Sequence, residues 1–288
     1  MELTIQSLTK KYGSKLAVDR FSATFTEGVY GLLGANGSGK TTLMRMMCGL
    51  LRPTSGEVSL DGVSIKDLGE GYRELLGYLP QNFGYYPDFT AWDFMMYLSS
   101  LKGLSKLTAK ERCGELLEKV GLYDVRKKKI KTYSGGMRQR LGIAQSLIND
   151  PKILILDEPT AGLDPKERAK FRNIISDHST GKIVLLSTHI VSDVEYIADE
   201  IMIMKHGQLS QQDHADHICD SISRFVWNCE VSSDEAESYS ERFVISNLKH
   251  NGDKVELRIV SATQPCENAV IVSPNLEDLY LYHFKEEA

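Results

Sequence analysis

The sequence predicts an α/β fold with a mainly parallel sheet, an antiparallel β subdomain, a helical subdomain and a small α+β appendage at the C-terminal end. Short apolar runs alternate with segments in which apolar residues recur at helical spacing. Such runs are typical of strands covered by helices on both faces. The balance of basic and acidic residues distinguishes the appendage from the rest of the chain. Residues 212–288 hold 6 basic and 15 acidic residues, against 28 and 24 in residues 1–211, so we predict a domain boundary between them.

Two patterns predict strands within residues 1–211. Alternation of apolar and polar residues indicates half-buried strands at 3–8, 16–25 and 57–60. Short apolar runs indicate buried strands at 29–33, 77–79, 153–156, 183–186 and 201–204. Helical spacing indicates helices at 40–51, 91–102, 108–120 and 135–148, and the last three belong to a predicted helical subdomain at about residues 82–148.

The appendage, residues 212–288, has a different pattern. Its apolar residues predict four strands, at 225–231, 242–245, 254–260 and 269–272, and a closing helix at 274–284 that is capped by Pro274. Nothing in it has the spacing of catalytic or metal-binding side chains. Dimer contact, regulation and simple packing all remain open as its role.

Composition excludes several classes of protein. The longest apolar stretches are shorter than the roughly 18 residues that cross a bilayer, and the first residues lack the pattern of a signal peptide. We therefore expect a cytoplasmic protein that reaches a membrane only through a partner. The net charge of −5 argues against nucleic acid as the main partner. Five scattered cysteines favour free thiols over a zinc site.

A phosphate-binding loop is the clearest motif. Residues 34–41 read GANGSGKT and fit the pattern G-x-x-x-x-G-K-[ST], between a predicted strand and a predicted helix. Glycines let the backbone wrap tightly and direct its N–H groups at phosphate oxygens, and the helix adds its positive N-terminal end. The alternative is a chance glycine turn. The predicted ATP-binding residues here are Gly34, Asn36, Gly37, Ser38, Gly39, Lys40, Thr41 and Thr42, with Lys40 on the phosphates and Thr41 on Mg²⁺.

Two carboxylates follow the buried strand at 153–156. Asp157 is placed to hold Mg²⁺, and Glu158 to polarise an attacking water. Adjacent residues of a strand point in opposite directions, so the two acids can have separate tasks. An acidic pair at a strand end is by itself more often a solvated turn. The phosphate-binding loop upstream favours the catalytic interpretation.

A second anion site is predicted at the start of the helix at 135–148. Ser134 is a residue type that caps helices, and Gly135 and Gly136 leave the backbone N–H groups accessible. One γ-phosphate rarely needs two such sites. Two copies of the chain arranged head to tail would use both, with each ATP between the loop of one copy and the Ser134 helix of the other. A well-capped helix without a ligand is the alternative.

These motifs together resemble the ATP-binding-cassette (ABC) transporter ATPases. Residues 34–41 and 153–158 match the Walker A and Walker B motifs of that family, and Ser134-Gly135-Gly136 matches its signature sequence. The resemblance covers about residues 3–210. It implies further roles: Tyr12 stacks on adenine, Gln81 contacts Mg²⁺ and water, Asp164 crosses to the partner, and His189 contacts the γ-phosphate as a catalytic residue beside Glu158 and Lys40. Taken singly, Tyr12 would be a surface aromatic residue, Gln81 a solvated polar residue of a loop, and His189 a core histidine with its hydrogen bonds satisfied.

The signature departs from the usual pattern at Tyr133 and Met137. Tyr-Ser-Gly-Gly-Met resembles the branch that exports drugs, antibiotics and lipids. The resemblance implies ATP and Mg²⁺ as cofactors, and pairing with itself or a related ATPase subunit. It also implies a separate integral membrane subunit and a place on the inner face of the cell membrane. Aromatic residues at 82–102 would dock on that subunit, unless several of them are core residues. The basic run 126–131 either meets acidic lipids or lies in a solvated loop.

Two other functions compete with transport. A soluble cassette ATPase of DNA repair, cluster assembly or translation is the first, although the long coiled-coil insert of repair members and the second cassette of translation members are missing from this sequence. The second is a regulatory binding module that does not hydrolyse ATP, and the intact Lys40 and Glu158 argue against it.

Overall fold

The computed structural model describes residues 1–284, and the chain forms two compact units, Met1–Gln211 and Gln212–Ala288. The strands that form the sheets of the larger unit are β1 Leu3–Tyr12, β2 Lys15–Phe25, β3 Gly28–Leu33, β4 Ser55–Leu60, β5 Val63–Ser64, β6 Leu76–Leu79, β7 Ile153–Asp157, β8 Ile183–Thr188, β9 Glu200–Lys205 and β10 Gln208–His214. Its helices are α1 Lys40–Met47, α2 Ile65–Leu68, α3 Glu70–Leu75, α4 Ala91–Leu101, α5 Lys106–Lys119, α6 Gly135–Ser146, α7 Pro165–Ser179 and α8 Val191–Glu195.

A six-stranded sheet in the order β10-β9-β3-β8-β7-β6 forms the centre of the larger unit. The pairings β3 with β8 and β9, β7 with β8, and β6 with β7 are all parallel. The segments that follow β3, β7 and β8 therefore leave the sheet at the same edge. Those segments contain the glycine loop, Glu158 and His189, so the sheet topology brings them together.

The antiparallel sheet, in the order β2-β1-β4-β5, packs with α1 against one face of the central sheet. Their shared core includes Phe21 and Phe25 from β2, Tyr30 from β3, and Leu43 and Met47 from α1. The prediction of an α/β fold with separate parallel and antiparallel sheets is confirmed. The two sheets hold α1 between them, which fixes the start of α1 beside the end of β3.

Several element limits differ from the prediction for local physical reasons. Helix α1 ends at Met47 instead of residue 51, because Gly49 has a positive φ of 68° and its N–H bonds the carbonyl of Met46. Strand β1 extends to Tyr12 instead of residue 8. A bulge with Ser7 at φ 46° breaks the alternation of apolar and polar side chains. The alternating pattern therefore stops at residue 8, although the strand continues to Tyr12.

Other elements of the larger unit were not predicted at all. Helix α7 and strand β10 are the longest of them, with short helices α2 and α3 besides. Only Phe171, Ile175 and His178 of the 15 residues of α7 are buried, so its apolar stripe is too thin to show in the sequence. Among residues 1–284, no helix combines the length and the apolar character that spanning a membrane requires.

Helices α4, α5 and α6, which lie in the range predicted for a helical subdomain, pack against one another. Each begins at a side-chain cap: Thr90 accepts from the N–H of Asp93 at 3.0 Å, Ser105 from Thr108 at 3.2 Å and Ser134 from Met137 at 3.2 Å. These caps satisfy N–H groups that a helix leaves unbonded at its start.

The smaller unit is an α+β structure with elements β11 Val226–Ser232, α9 Ser233–Arg242, β12 Val244–Asn251, β13 Lys254–Val260, β14 Val270–Ile271 and α10 Leu276–Phe284. Its sheet has the order β12-β13-β11-β14 with antiparallel pairing throughout. The four predicted strands are present: β13 has the predicted limits, and the other three have shifted ends. Helix α9 was missed, because Ala236 is its only buried residue and its sequence has no apolar stripe.

Asn275, and not Pro274, caps the last helix, which begins at Leu276. The N–H of Asp278 donates to Asn275 Oδ1, and the N–H of Asn275 donates to Asp278 Oδ2, both at 2.9 Å. Asp278 is fully buried, and it also accepts from Arg258 Nη2 at 2.7 Å and from Ser246 Oγ at 2.6 Å. One carboxylate thus joins α10 to β12 and β13.

Replacing Asp278 with Ala should destabilise the smaller unit by about 3–5 kcal/mol, because the guanidinium of Arg258 loses its buried partner. Urea unfolding followed by fluorescence measures the effect, in a Trp92→Phe background so that Trp227 alone reports. Glu277→Ala, at the exposed neighbouring position, is the control and should leave the unfolding midpoint nearly unchanged. Equal midpoints for the two variants would contradict the role of Asp278.

Candidate active site

The loop at 34–39 wraps closely against its neighbours, and two of its glycines are required by contact. A Cβ on Gly34 would lie 2.6 Å from the Ser38 hydroxyl and from the carbonyl of Met204. A Cβ on Gly39 would lie 2.3 Å from the carbonyl of Ala17, and the φ of Gly39 is 109°. The loop is therefore held between the ends of β2 and β9, directly before α1 begins at Lys40.

The side chain of Lys40 lies beneath this loop and is only 6% exposed. Its ammonium donates to the carbonyl oxygens of Gly34 at 2.6 Å and Ala35 at 3.1 Å. A buried ammonium next to the N-terminus of α1 makes this part of the surface favourable for a polyphosphate. Thr41 and Thr42 follow in the first turn of α1, where both are half-buried.

Asp157 ends β7 and is fully buried. Its Oδ1 accepts a hydrogen bond from the Ser187 hydroxyl at 2.7 Å, whereas its Oδ2 is buried and has no hydrogen-bond partner in the described part of the chain. Buried carboxylate oxygens are normally paired. An unpaired one near the phosphate-binding loop fits a hard cation such as Mg²⁺, which prefers oxygen ligands.

Glu158 is the first residue beyond β7, with φ 51°, so it does not continue the strand as the sequence pattern suggested. Its N–H bonds the carbonyl of Ser187 at 3.1 Å and the Ser187 hydroxyl at 3.2 Å. The turn places its carboxylate between two basic groups. Glu158 Oε1 lies 4.0 Å from Lys40 Nζ, and Oε2 lies 2.9 Å from His189 Nδ1.

The structure thus brings Lys40, Glu158 and His189 into one line of contacts, next to Asp157. Glu158 is 4% exposed, whereas the side chain of His189 is 46% exposed. The histidine is therefore the open end of the line, and the glutamate is its shielded centre. A shielded carboxylate that contacts a partly exposed imidazole can orient a water molecule at the surface and accept a proton from it.

Three other predicted site residues, Tyr12, Gln81 and Asp164, are on the exposed surface. Tyr12 is 47% exposed, with Lys10 Nζ 5.2 Å from the centre of its ring. Gln81 is exposed in the loop after β6. Asp164 is exposed and caps α7 by accepting from the N–H of Glu167 at 2.9 Å.

The signature segment is open at Ser134 and Gly135. Ser134 and Gly135 are exposed, and a Cβ on Gly135 would meet nothing within 4 Å. The unusual Tyr133 is buried, and its hydroxyl donates to the carbonyl of Val125 at 2.9 Å. Tyr133 therefore fills a core position and leaves the Ser134 helix start accessible.

Sequence reasoning missed the residues that hold these segments in place. Ser187 bonds both Asp157 and Glu158. Gln139 of α6 donates to the carbonyl of Pro159 at 2.8 Å. Arg140 of α6 and Glu167 of α7 form an ion pair at 3.0 Å. A polar serine at the end of an apolar strand was the one available signal, because the other contacts join segments that are remote in sequence.

The aromatic residues after β6 line a cleft of about 470 Å³ with apolar walls. Tyr86 is 50% exposed and Tyr97 is 39% exposed, and their rings lie 5.7 Å apart. Phe83, Tyr85, Phe89 and Trp92 are half-buried, so the segment is neither a fully exposed patch nor core. Trp92 lies beside Arg126, and the backbone N–H of Trp92 donates to the carbonyl of Arg126 at 2.9 Å. Lys129 and Lys131 of the basic run pair with Asp88 at 3.3 and 2.7 Å.

Comparisons with known proteins agree with this geometry. A family profile described as ABC transporter matches residues 18–161. YxlF of Bacillus subtilis (strain 168), an ABC transporter ATP-binding protein, is 44% identical over 72% of this chain and 69% of its own length. The bacitracin transport ATP-binding protein BcrA of Enterococcus faecalis is 38% identical over 74% of this chain and 70% of its own.

The fold also matches solved structures. The dimeric structure of MJ0796, described as a bacterial ABC transporter cassette, superposes with a TM-score of 0.69 at 26% identity, covering 74% of this chain and 98% of that one. A post-hydrolysis dimer of MJ0796 bound to ADP and Pi gives a TM-score of 0.68, also at 26% identity. On its sequence, its fold and the residues collected at the edge of its central sheet, the chain belongs to the ABC transporter family, as an ATP-binding and ATP-hydrolysing subunit.

Proposed function

We propose that this ATPase subunit powers export through a separate membrane subunit, and that ATP draws two cassettes together to do so. The observation that carries the hydrolytic part is the line of contacts from Lys40 through Glu158 to His189. It joins the phosphate-binding loop to a shielded carboxylate and a partly exposed imidazole, which are the groups that phosphoryl transfer to water requires.

In this mechanism the loop at 34–39 and the start of α1 hold the phosphates of ATP, and Tyr12 stacks on the adenine. The Lys40 ammonium exchanges the carbonyl oxygens of Gly34 and Ala35 for phosphate oxygens and stabilises the charge that develops there. Glu158 orients the attacking water and accepts its proton. His189 holds the Glu158 carboxylate on one side and contacts the γ-phosphate on the other.

Asp157, Thr41 and Gln81 would hold Mg²⁺. The unpaired, buried Oδ2 atom of Asp157 supports this set, because it needs a positive partner. The metal, when bound, would neutralise negative charge on the phosphate oxygens. The hydroxyl of Ser187 bonds the other oxygen of Asp157 and so keeps Oδ2 in a fixed direction.

A second copy, or a related ATPase subunit, would complete the site with Ser134, Gly135, Gly136 and Asp164. Two observations support this arrangement. Gly135 at the start of α6 faces open space, and Asp164 is exposed at the start of α7. In addition, MJ0796 is described as dimeric. The N–H groups at the start of α6 would then bind the phosphate held by the partner's loop.

Export is supported by the form of the signature and by one relative. Tyr-Ser-Gly-Gly-Met at 133–137 resembles the drug, antibiotic and lipid exporter branch, and BcrA is described as a bacitracin transport protein. The subunit would act at the inner face of the cell membrane.

The cleft bounded by Tyr86 and Tyr97 would receive the membrane subunit, because its walls are apolar and its rim is aromatic. The smaller unit would contribute a dimer contact or regulation.

Glu158→Gln should bind ATP but lower the rate of phosphate release by at least about a hundredfold, because the amide cannot accept the proton of water. With ATP it should elute as a stable dimer in size-exclusion chromatography with light scattering. Glu195→Gln is the matched control at an exposed position of α8. A Glu158→Gln protein that turns over at the wild-type rate would remove Glu158 from the mechanism.

Complementation between variants tests the shared sites. Lys40→Ala and Ser134→Arg should each be inactive as pure proteins, since every dimer then lacks one half of both sites. An equal mixture should recover about a quarter of the wild-type ATPase rate, because a mixed dimer contains one intact site. A mixture as inactive as its components would contradict ATP sites shared between two identical chains.

Charge in the aromatic cleft tests the docking surface. Tyr86→Asp and Tyr97→Asp should each reduce the integral membrane protein that co-purifies in mild detergent by about tenfold or more, because docking would bury an unpaired carboxylate. Leu107→Asp is the control, since Leu107 is 69% exposed on α5 and lies outside the cleft. Recovery of soluble partners alone, with wild-type protein, would instead favour an ATPase that is not coupled to transport.

A further inference from the structure

A second buried carboxylate lies beside the active site and has none of the roles given above. Asp193 belongs to α8 and is fully buried, four residues after His189. Its Oδ2 accepts a hydrogen bond from the hydroxyl of Thr160, which is also fully buried and lies two residues after Glu158. The two segments that carry His189 and Glu158 are therefore joined a second time.

Stability is a poor explanation for this carboxylate. Asp193 Oδ1 has no hydrogen-bond partner within residues 1–284, and its nearest cationic atom, Nη1 of Arg172, is 4.0 Å away. A buried carboxylate with so few hydrogen bonds costs folding free energy. Apolar side chains of similar volume at positions 160 and 193 would avoid that cost. The charge and its hydrogen bond therefore point to a role in positioning.

The second contact has a clear geometric effect. His189 Nδ1 lies 2.9 Å from Glu158 Oε2, and the bond from Thr160 to Asp193 joins the same two segments further along. The pairing of β7 with β8 ends at Asp157 and Ser187, so beyond it these two side-chain contacts together restrict the motion of one segment relative to the other more than either contact alone. The turn between His189 and Asp193 is itself ordered, because the N–H of Ile190 bonds the Thr188 hydroxyl at 2.9 Å. A displacement of Asp193 would therefore move the imidazole.

Arg172 brings a third segment to the same point. It lies on α7, the helix that Asp164 caps. Its side chain is 24% exposed, and its guanidinium lies 5.3 Å from the centre of the Tyr196 ring. Arg172 therefore approaches Asp193 from α7 and supplies the positive charge that a buried carboxylate needs.

We infer that Asp193 is a positioning residue for ATP hydrolysis: through Thr160 it holds His189 against Glu158, with Arg172 as its charge partner. This inference rests on the roles proposed for Glu158 and His189. Asp193 acts on the chemistry only through the imidazole, so its loss lowers the rate of the bound complex far more than it changes the affinity for nucleotide, which depends mainly on the loop at 34–41.

Asp193→Asn and Thr160→Val test this directly. Each should lower kcat for ATP hydrolysis by about 10- to 100-fold, the cost of misplacing a catalytic group by about 1 Å. KM for ATP should stay within about twofold, because uniform binding by the loop at 34–41 is unaffected. Thr160→Ser keeps the hydroxyl and should recover most of the kcat that Thr160→Val loses.

A double-mutant cycle separates positioning from a general structural role. If Asp193 acts through the imidazole, Asp193→Asn should cause no further loss of kcat in a His189→Ala background. A merely structural role predicts that the two losses multiply, which would overturn the inference. Wild-type kcat in both Asp193→Asn and Thr160→Val, or a raised KM with kcat unchanged, would also overturn it. If Asp193→Asn does not fold, the Thr160 variants give the same test.

Failure of this inference is distinguishable from failure of the proposed function. Loss of hydrolysis in Glu158→Gln together with wild-type rates in Asp193→Asn and Thr160→Val would overturn the positioning role and leave the catalytic assignment intact. Wild-type hydrolysis in Glu158→Gln would overturn the catalytic assignment, and the positioning role with it.

Discussion

The parallel pairing of β3, β7 and β8 is the constraint on which the rest of the active site depends. Parallel strands deliver the segments that follow them to one edge of a sheet, and here those segments are the glycine loop, the turn at Glu158 and the segment at His189. These three segments are far apart from one another in the sequence. Their contacts exist because the strand register fixes where each segment begins.

Hydrogen bonds from the scaffold then control buried charge at this edge. The Ser187 hydroxyl donates to Asp157 Oδ1 and accepts the backbone N–H of Glu158, so one side chain holds both residues of the acidic pair in place. The ammonium of Lys40, next to the phosphate-binding loop, compensates the negative charge of Glu158. Charges removed from water need such partners. The arrangement is therefore set by the residues around the carboxylates as much as by the carboxylates themselves.

Motifs with local geometry could be predicted from the sequence, whereas contacts between remote segments could not. The loop at 34–41 and the cap at Ser134 follow from nearby residue types, and the α/β class follows from buried apolar runs. Helices α7 and α9 were missed because they bury few apolar residues. The left-handed turn at Glu158 and the bond between Thr160 and Asp193 were missed because each depends on a partner about 30 positions away.

The position of β3 between β8 and β9 has a consequence for how the chain folds. Gly28 pairs with Ile183, and Tyr30 pairs with Glu200, so the neighbours of β3 on both sides come from far along the sequence. The central strand can gain its hydrogen bonds only after the whole helical subdomain has been synthesised. Closing so long a loop is entropically unfavourable, which slows folding. The phosphate-binding loop, although encoded early, should reach its final conformation among the last parts of the larger unit.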